Sequence, residues 1–269
     1  MTDDTPDRGP SERGTAVVTG ASSGIGRAFA EILAEMGYDL VIAADEPAIH
    51  QVAGDLSVGG RRTVGLHVDL SGAPGVEHLY EQATSQGVPV TVAVLNAGMG
   101  VHGRFDEIDL ERQLQLIDLN IRSTVHLATL LTRDMVEREE GRLLFVSSIA
   151  GRVPGPGHAA YAASKAFIHS FAEAIRQEMR GTGVSITSLL PGPTDTRFFE
   201  RAGMQDTEVA RGRKDAPHDV AREGVAALMA GQDQVVAGST RNTVQAAATS
   251  GSVDAVADTL REGSPQAPS

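Results

Sequence analysis

The amino-acid sequence predicts a doubly wound α/β fold, a parallel sheet covered by helices on both faces as a three-layer α/β/α domain. Three observations carry that expectation. Short, almost wholly apolar runs recur along the chain, and strands apolar on both faces belong in a parallel sheet buried on both sides. Stretches of helical character separate these runs, the alternation that parallel βαβ connections require. A glycine-rich segment, Thr19-Gly-Ala-Ser-Ser-Gly-Ile-Gly, joins the first run to the first helix.

In order along the chain, residues 15–20 (Thr-Ala-Val-Val-Thr-Gly) read as the first strand and residues 25–36 as a helix. Residues 40–44 (Leu-Val-Ile-Ala-Ala), 63–68 (Thr-Val-Gly-Leu-His-Val) and 90–95 (Val-Thr-Val-Ala-Val-Leu) give the next three strands. Their β-branched and aliphatic composition fits a pleated, buried surface. A long helical stretch over 107–139 precedes a fifth strand at 142–147, and a helix at 161–180 precedes a sixth at 184–190. A helix over 219–230 and a last strand over 234–237 complete the pattern. Residues 1–13 read as a disordered leader, 14–241 as the single domain, and 242–269 as a partly mobile C-terminal extension with a short helix at Val253 to Arg261.

Composition excludes several function classes. The 269 residues are enough for one large domain, which buries roughly three quarters of its unfolded surface and needs no staple. The chain contains no cysteine, which removes disulfides, thiolate metal sites and a cysteine nucleophile. A net charge of −12 opposes binding to nucleic acid or anionic lipid. Aromatic residues make up 4% of the chain and tryptophan is absent, so a stacking platform for single-stranded nucleic acid is not expected. No apolar run reaches the ~18–20 residues of a membrane span. The polar, acidic N-terminus does not resemble a secretory signal. A soluble, cytoplasmic protein is expected. The eight histidines show no ligand spacing, and no metal is expected.

Two motifs carry chemistry. In the glycine-rich turn, Gly20, Gly24 and Gly26 allow the backbone to approach a pyrophosphate closely, while the helix that follows offers N–H donors and the positive end of its dipole. This spacing differs from the Gly-x-Gly-x-x-Gly fingerprint. Tyr161 and Lys165 are spaced i, i+4, so a helix stacks the ammonium beside the phenol. A neighbouring cation favours phenolate and lowers the Tyr161 pKa, making it a usable proton donor or acceptor.

With Asn96-Ala-Gly, Asp118-Leu-Asn120, Ser147-Ser148-Ile-Ala-Gly and Pro191-Gly192 in the same order, the chain resembles the short-chain dehydrogenase/reductase family over about residues 14–240. The resemblance implies a Rossmann-like oxidoreductase that transfers a hydride between a nicotinamide cofactor and a secondary alcohol/ketone pair. By that resemblance Ser148, thirteen residues before Tyr161, bonds the substrate oxygen, and Tyr161 exchanges a proton with it. Lys165 holds the nicotinamide ribose and depresses the Tyr161 pKa, and Asn120 ties a water to Lys165. The cofactor cradle consists of Gly20, Ser22, Ser23, Gly24, Ile25 and Gly26. Asp69 with Leu70 contacts the adenine, unless Asp69 simply caps the Ser71 turn. Asn96, Ala97 and Gly98 allow close backbone approach, with Asn96 bracing adjacent strands. Pro191, Gly192, Thr194 and Thr196 complete the nicotinamide end.

The end of the second strand, Ala43-Ala44-Asp45-Glu46, faces the adenosine ribose. An acid there accepts from a 2′-hydroxyl and repels a 2′-phosphate, whereas arginine does the reverse. Two acids with no local cation favour NAD through Asp45, with NADP as the alternative. Arg61 and Arg62 read as solvated. Substrate selection falls to residues 151–160, where Arg152 and His158 lie, and to 195–213 with Phe198, Phe199 and Met204. The family implies a homodimer or homotetramer built on the long helices. A dinucleotide-binding regulatory or scaffold protein is the alternative, and the joint presence of Asn120, Ser148, Tyr161 and Lys165 argues against it.

Overall fold

The computed structural model describes residues 13–57, 62–153, 155–205 and 207–238. The leader apart from Arg13, the extension over 242–269 with its expected helix, and Arg61 lie outside the described residues.

The strands are β1 (Thr15–Thr19), β2 (Asp39–Ala44), β3 (Thr63–His67), β4 (Val90–Leu95), β5 (Gly141–Val146), β6 (Val184–Pro191) and β7 (Gln234–Ala237). All pair in parallel, in the order β3-β2-β1-β4-β5-β6-β7. The order reverses between β1 and β4, and a ligand crevice opens at that point beyond the carboxyl ends of the strands.

Successive side chains of each strand feed opposite faces of the sheet. In β5, Leu144 and Val146 pack with Phe29, Leu33, Ile42 and Leu228 on one face. Leu143 and Phe145 pack with Leu79, Leu131, Met135 and Ile168 on the other. The first core lies under α1 (Gly24–Glu35), α2 (Ile49–Leu56) and α9 (Pro217–Met229). The second lies under α3 (Ala73–Thr84), α5 (Ser123–Glu137) and α6 (Ala159–Glu178).

The stretch expected as one helix over 107–139 is divided. Asp109 caps α4 (Leu110–Ile117) by accepting from the Arg112 N–H, and a π-helical turn at Asp118–Arg122 separates α4 from α5. Between β6 and α9 the chain forms two short helices, α7 (Phe198–Arg201) and α8 (Glu208–Arg211). No helix among the described residues is long and apolar enough to cross a membrane.

Candidate active site

The β1–α1 turn places its glycines where side chains have no room. A Cβ on Gly26 would lie 2.2 Å from the Gly20 carbonyl oxygen and 2.5 Å from Asn96 Nδ2. Gly20 and Gly24 have φ of 67° and 59°, the left-handed region glycine enters freely. Ser23 occupies the N-cap of α1 with extended backbone, but its hydroxyl makes no capping bond. The first turn therefore keeps N–H donors for an anion, and Ser23, Gly24, Ile25 and Gly26 all line one cleft of about 1390 Å³.

Asn96 holds the switch point together. Its Nδ2 donates to the Thr19 carbonyl at 2.9 Å, while the Thr19 hydroxyl accepts from the Asn96 and Ala97 N–H groups, each at 2.9 Å. This is the strand brace expected of Asn96. Gly98 then passes so close that a Cβ would meet Asn120 Oδ1 at 3.1 Å and Lys165 Nζ at 3.4 Å.

At the far end of the cleft Ser148 follows β5 and Tyr161 lies in the first turn of α6. The Ser148 side chain lies beside the Tyr161 hydroxyl and pulls its pKa down, while Ser148 Oγ accepts from the Ala150 N–H at 3.1 Å. Lys165 lies one turn below with Nζ 5.9 Å from the Tyr161 ring centre, donating to the Val146 carbonyl at 2.9 Å. Burial pushes the Tyr161 hydroxyl up to about 12 against the opposing pull of Ser148, and burial brings Lys165 down to about 8. The sequence predicts a lowered Tyr161 pKa. In the structure loss of water sets the direction instead, since desolvation disfavours both charged forms. Tyr161 is thus a neutral phenol at physiological pH, and Lys165 is still mostly protonated.

Asn120 lies behind this group, 1% exposed, and does not line the cleft. Its side-chain amide pairs with the Met99 backbone in both directions, at 2.8 and 3.0 Å, and donates to Ser164 Oγ at 3.0 Å. It acts on the site by fixing the β4–α4 connection and α6 relative to each other.

Every other residue in the expected set lines the cleft, including Gly20, Ser22, Asp45, Leu70, Pro191, Gly192 and Thr194. Asp69 also lies on this wall, and it caps the turn as well: its carboxylate accepts from the Ser71 N–H at 2.8 Å and the Ser71 hydroxyl at 2.9 Å. Thr196 Oγ1 accepts from the Phe198 N–H at 3.2 Å. Phe198 packs on Tyr161 with ring centres 5.1 Å apart, and Met204 and His158 line the same wall. Arg152 turns away, donating to Gln234 Oε1 at 2.6 Å and meeting His169 Nε2 at 2.8 Å. Arg62 is engaged with the Gln86 carbonyl.

One feature of the cleft contradicts the sequence reading. The end of β2 was expected to lack a cation, yet Arg197 and Arg201 both pair with Glu46, Arg197 at 2.7 Å. Partial burial pushes the Glu46 carboxyl up, but the Ser22 side chain and the two guanidiniums hold it below its ordinary value. Separations of 151 and 155 residues left no local signal for these pairs. Among the described residues no group of three or more His, Asp or Glu is placed to hold a metal.

The model of the short chain dehydrogenase family matches residues 14–207, and the chain belongs to that family as an NAD(P)-binding oxidoreductase. An uncharacterized oxidoreductase of Staphylococcus saprophyticus is 32% identical over 215 residues, 79% of this chain and 90% of that protein. The 1-deoxy-11-beta-hydroxypentalenate dehydrogenase of Streptomyces exfoliatus is 37% identical over 204 residues, 72% of this chain and 74% of that protein. Among solved structures, a short-chain dehydrogenase from Sphingobium yanoikuyae in complex with NADPH is similar with a TM-score of 0.83. That match covers 95% of this chain and 98% of that chain at 25% identity. The family binds both dinucleotides, so the preference for NAD read from Asp45 is not a family property.

Proposed function

We propose that the protein is an alcohol dehydrogenase or carbonyl reductase acting on a secondary alcohol/ketone pair, with Tyr161 as the proton donor and acceptor. The observation that carries this reading is the placement of Ser148, Tyr161 and Lys165 together in a cleft whose other end is a glycine-lined helix N-terminus. The uncapped α1 turn and the lack of room at Gly26 fit a dinucleotide pyrophosphate. Bound there, the dinucleotide supplies or accepts the hydride.

The protein's own residues handle the oxygen. Negative charge builds on a carbonyl oxygen as it is reduced, and Ser148 and Tyr161 are two hydroxyl donors lining the same cleft. Tyr161 holds its proton at neutral pH and is ready to give it to that oxygen. Lys165, mostly cationic at neutral pH, stabilises the phenolate left behind. Phe198 and Met204 give the substrate wall an apolar character, which supports a ketone with apolar substituents. The Streptomyces relative is named as a dehydrogenase of a hydroxylated compound, in keeping with this chemistry.

NAD is the preferred cofactor in this reading, with Asp45 and Glu46 at the ribose end and NADP as the alternative. The protein is further proposed to be a homodimer or homotetramer. Leu110, Leu114 and Ile117 form an exposed apolar stripe along α4, with Phe167 exposed on neighbouring α6.

A panel of ketones and secondary alcohols, assayed with each dinucleotide, tests the activity. Tyr161→Phe is expected to keep dinucleotide affinity and lose about 10²–10⁴-fold in turnover. Normal turnover by that variant on a working substrate defeats the mechanism.

A further inference from the structure

We propose that Arg197 and Arg201 constitute a 2′-phosphate site that Glu46 keeps closed, so that Glu46 is the residue selecting NAD over NADP. This inference rests on the dinucleotide reading of the cleft and moves the selecting role from Asp45 to its neighbour.

Glu46 directly follows Asp45 beyond β2, where the adenosine ribose lies in a doubly wound dinucleotide fold. Two guanidiniums converge on its carboxylate, Arg197 Nη2 at 2.7 Å and Arg201 Nη2, with the Ser22 side chain beside them helping to hold the carboxyl's pKa down. Two guanidiniums form a donor set that binds a phosphate, because the guanidinium fork matches phosphate oxygens as well as carboxylate oxygens. Ser22, Asp45, Arg197 and Arg201 line the cleft itself, and Glu46 joins them through its pairs with both arginines. Asp45 is exposed at the same rim.

With Glu46 in place, both cations are neutralised and the rim presents carboxylates. A ribose hydroxyl can donate to them. A phosphate dianion meets two carboxylates and must displace one from its arginines. Replacing Glu46 with its neutral isostere leaves two guanidiniums at the ribose end and a single acid, Asp45, beside them. The sign of the discrimination then reverses. The arginine side chains are nearly half exposed, at 49% and 44%, so salt weakens the effect.

Isothermal titration calorimetry on the full chain measures affinities for NAD⁺ and NADP⁺, and for 5′-AMP against adenosine 2′,5′-bisphosphate, which differ only in the 2′-phosphate. The expected result is tighter NAD⁺ binding by the wild type. In Glu46→Gln, affinity for the 2′-phosphorylated ligand should rise by about tenfold or more relative to its partner. Adding Arg197→Ala and Arg201→Ala to that variant should remove the gain, and high salt should shrink it. Wild-type preference for NADP⁺, an unchanged ratio in Glu46→Gln, or a gain that survives loss of both arginines overturns the proposal. Those outcomes leave the dinucleotide reading standing. Failure of the wild type to bind either dinucleotide overturns both.

Discussion

Replacing Lys165 with methionine should stabilise the protein at neutral pH while destroying the site. Lys165 is 6% exposed, and burial lowers its pKa from 10.5 to about 8. A fall of that size corresponds to about 3 kcal/mol of desolvation carried by the folded state wherever the amine is protonated in both states. Methionine has a similar unbranched length and carries no charge. Against the relief stands one loss: the Val146 carbonyl loses its donor at 2.9 Å, and an unpaired buried acceptor costs about 1–3 kcal/mol. The balance at pH 7 favours the variant by about 1 kcal/mol, or about 2–4 °C in Tm for a domain of this size. The sign depends on pH. As pH rises from 8 to 10.5 the folded wild type releases its proton before the unfolded chain does, so the unfolded state binds more protons and wild-type stability climbs. By pH 10.5 the penalty is gone and the variant, still missing its hydrogen bond, has become the less stable protein. The folded Tyr161 hydroxyl titrates only at about 12, and loss of the nearby cation pushes it no lower. Up to pH 10.5 it therefore stays protonated in both folded proteins and cancels in the difference. Thermal or urea unfolding of the two proteins from pH 7 to 10.5 measures this crossover. A stability difference constant across that range refutes the account of Lys165.

Gly26→Ala puts a Cβ 2.2 Å from the Gly20 oxygen, so dinucleotide affinity should fall at least tenfold and the melting temperature should drop; an alanine variant with unchanged affinity removes Gly26 from the cradle. Phe198→Ala removes the ring packed 5.1 Å from Tyr161. It should raise KM for an apolar ketone by about tenfold with little change in dinucleotide affinity, and equal loss of both would make Phe198 a structural residue only.

The parts of the site legible in the sequence are those whose physics is local. The Gly20–Gly26 turn is readable because positive φ and close backbone approach demand glycine at those positions. Tyr161 and Lys165 are readable because helical spacing alone puts them on one face. The α4–α5 break was not readable, since the amide of Asn120 finds its partners at Met99 and in Ser164, far away along the chain. Helices α2 and α3 are not legible in the sequence because α2 is short and α3 largely polar, and packing on the sheet rather than propensity holds them. Arg152 looked able to meet substrate, yet its partners His169 and Gln234 come from α6 and β7 and turn it away. The direction of the Tyr161 pKa was misread for the same reason: the neighbouring lysine is visible in sequence, but burial is a property of the assembled fold.

The Glu46 pairs show how far such long-range placement depends on chain length. In the sheet, β2 and β6 are separated by β1, β4 and β5, four strand spacings or about 19 Å. The chain from Pro191, where β6 ends, to Arg197 reaches about 20 Å if fully extended. Part of that reach is lost where Thr194 bridges to Asp215, so backbone alone falls short of Glu46. Arginine side chains supply the remaining distance and the fork that grips a carboxylate. Phe198 follows immediately and packs on Tyr161, so one short stretch of chain contacts Glu46, just beyond β2, through its arginines and Tyr161 through its ring. The end of β2 and the wall beside Tyr161 are therefore mechanically joined through the backbone of residues 197–201.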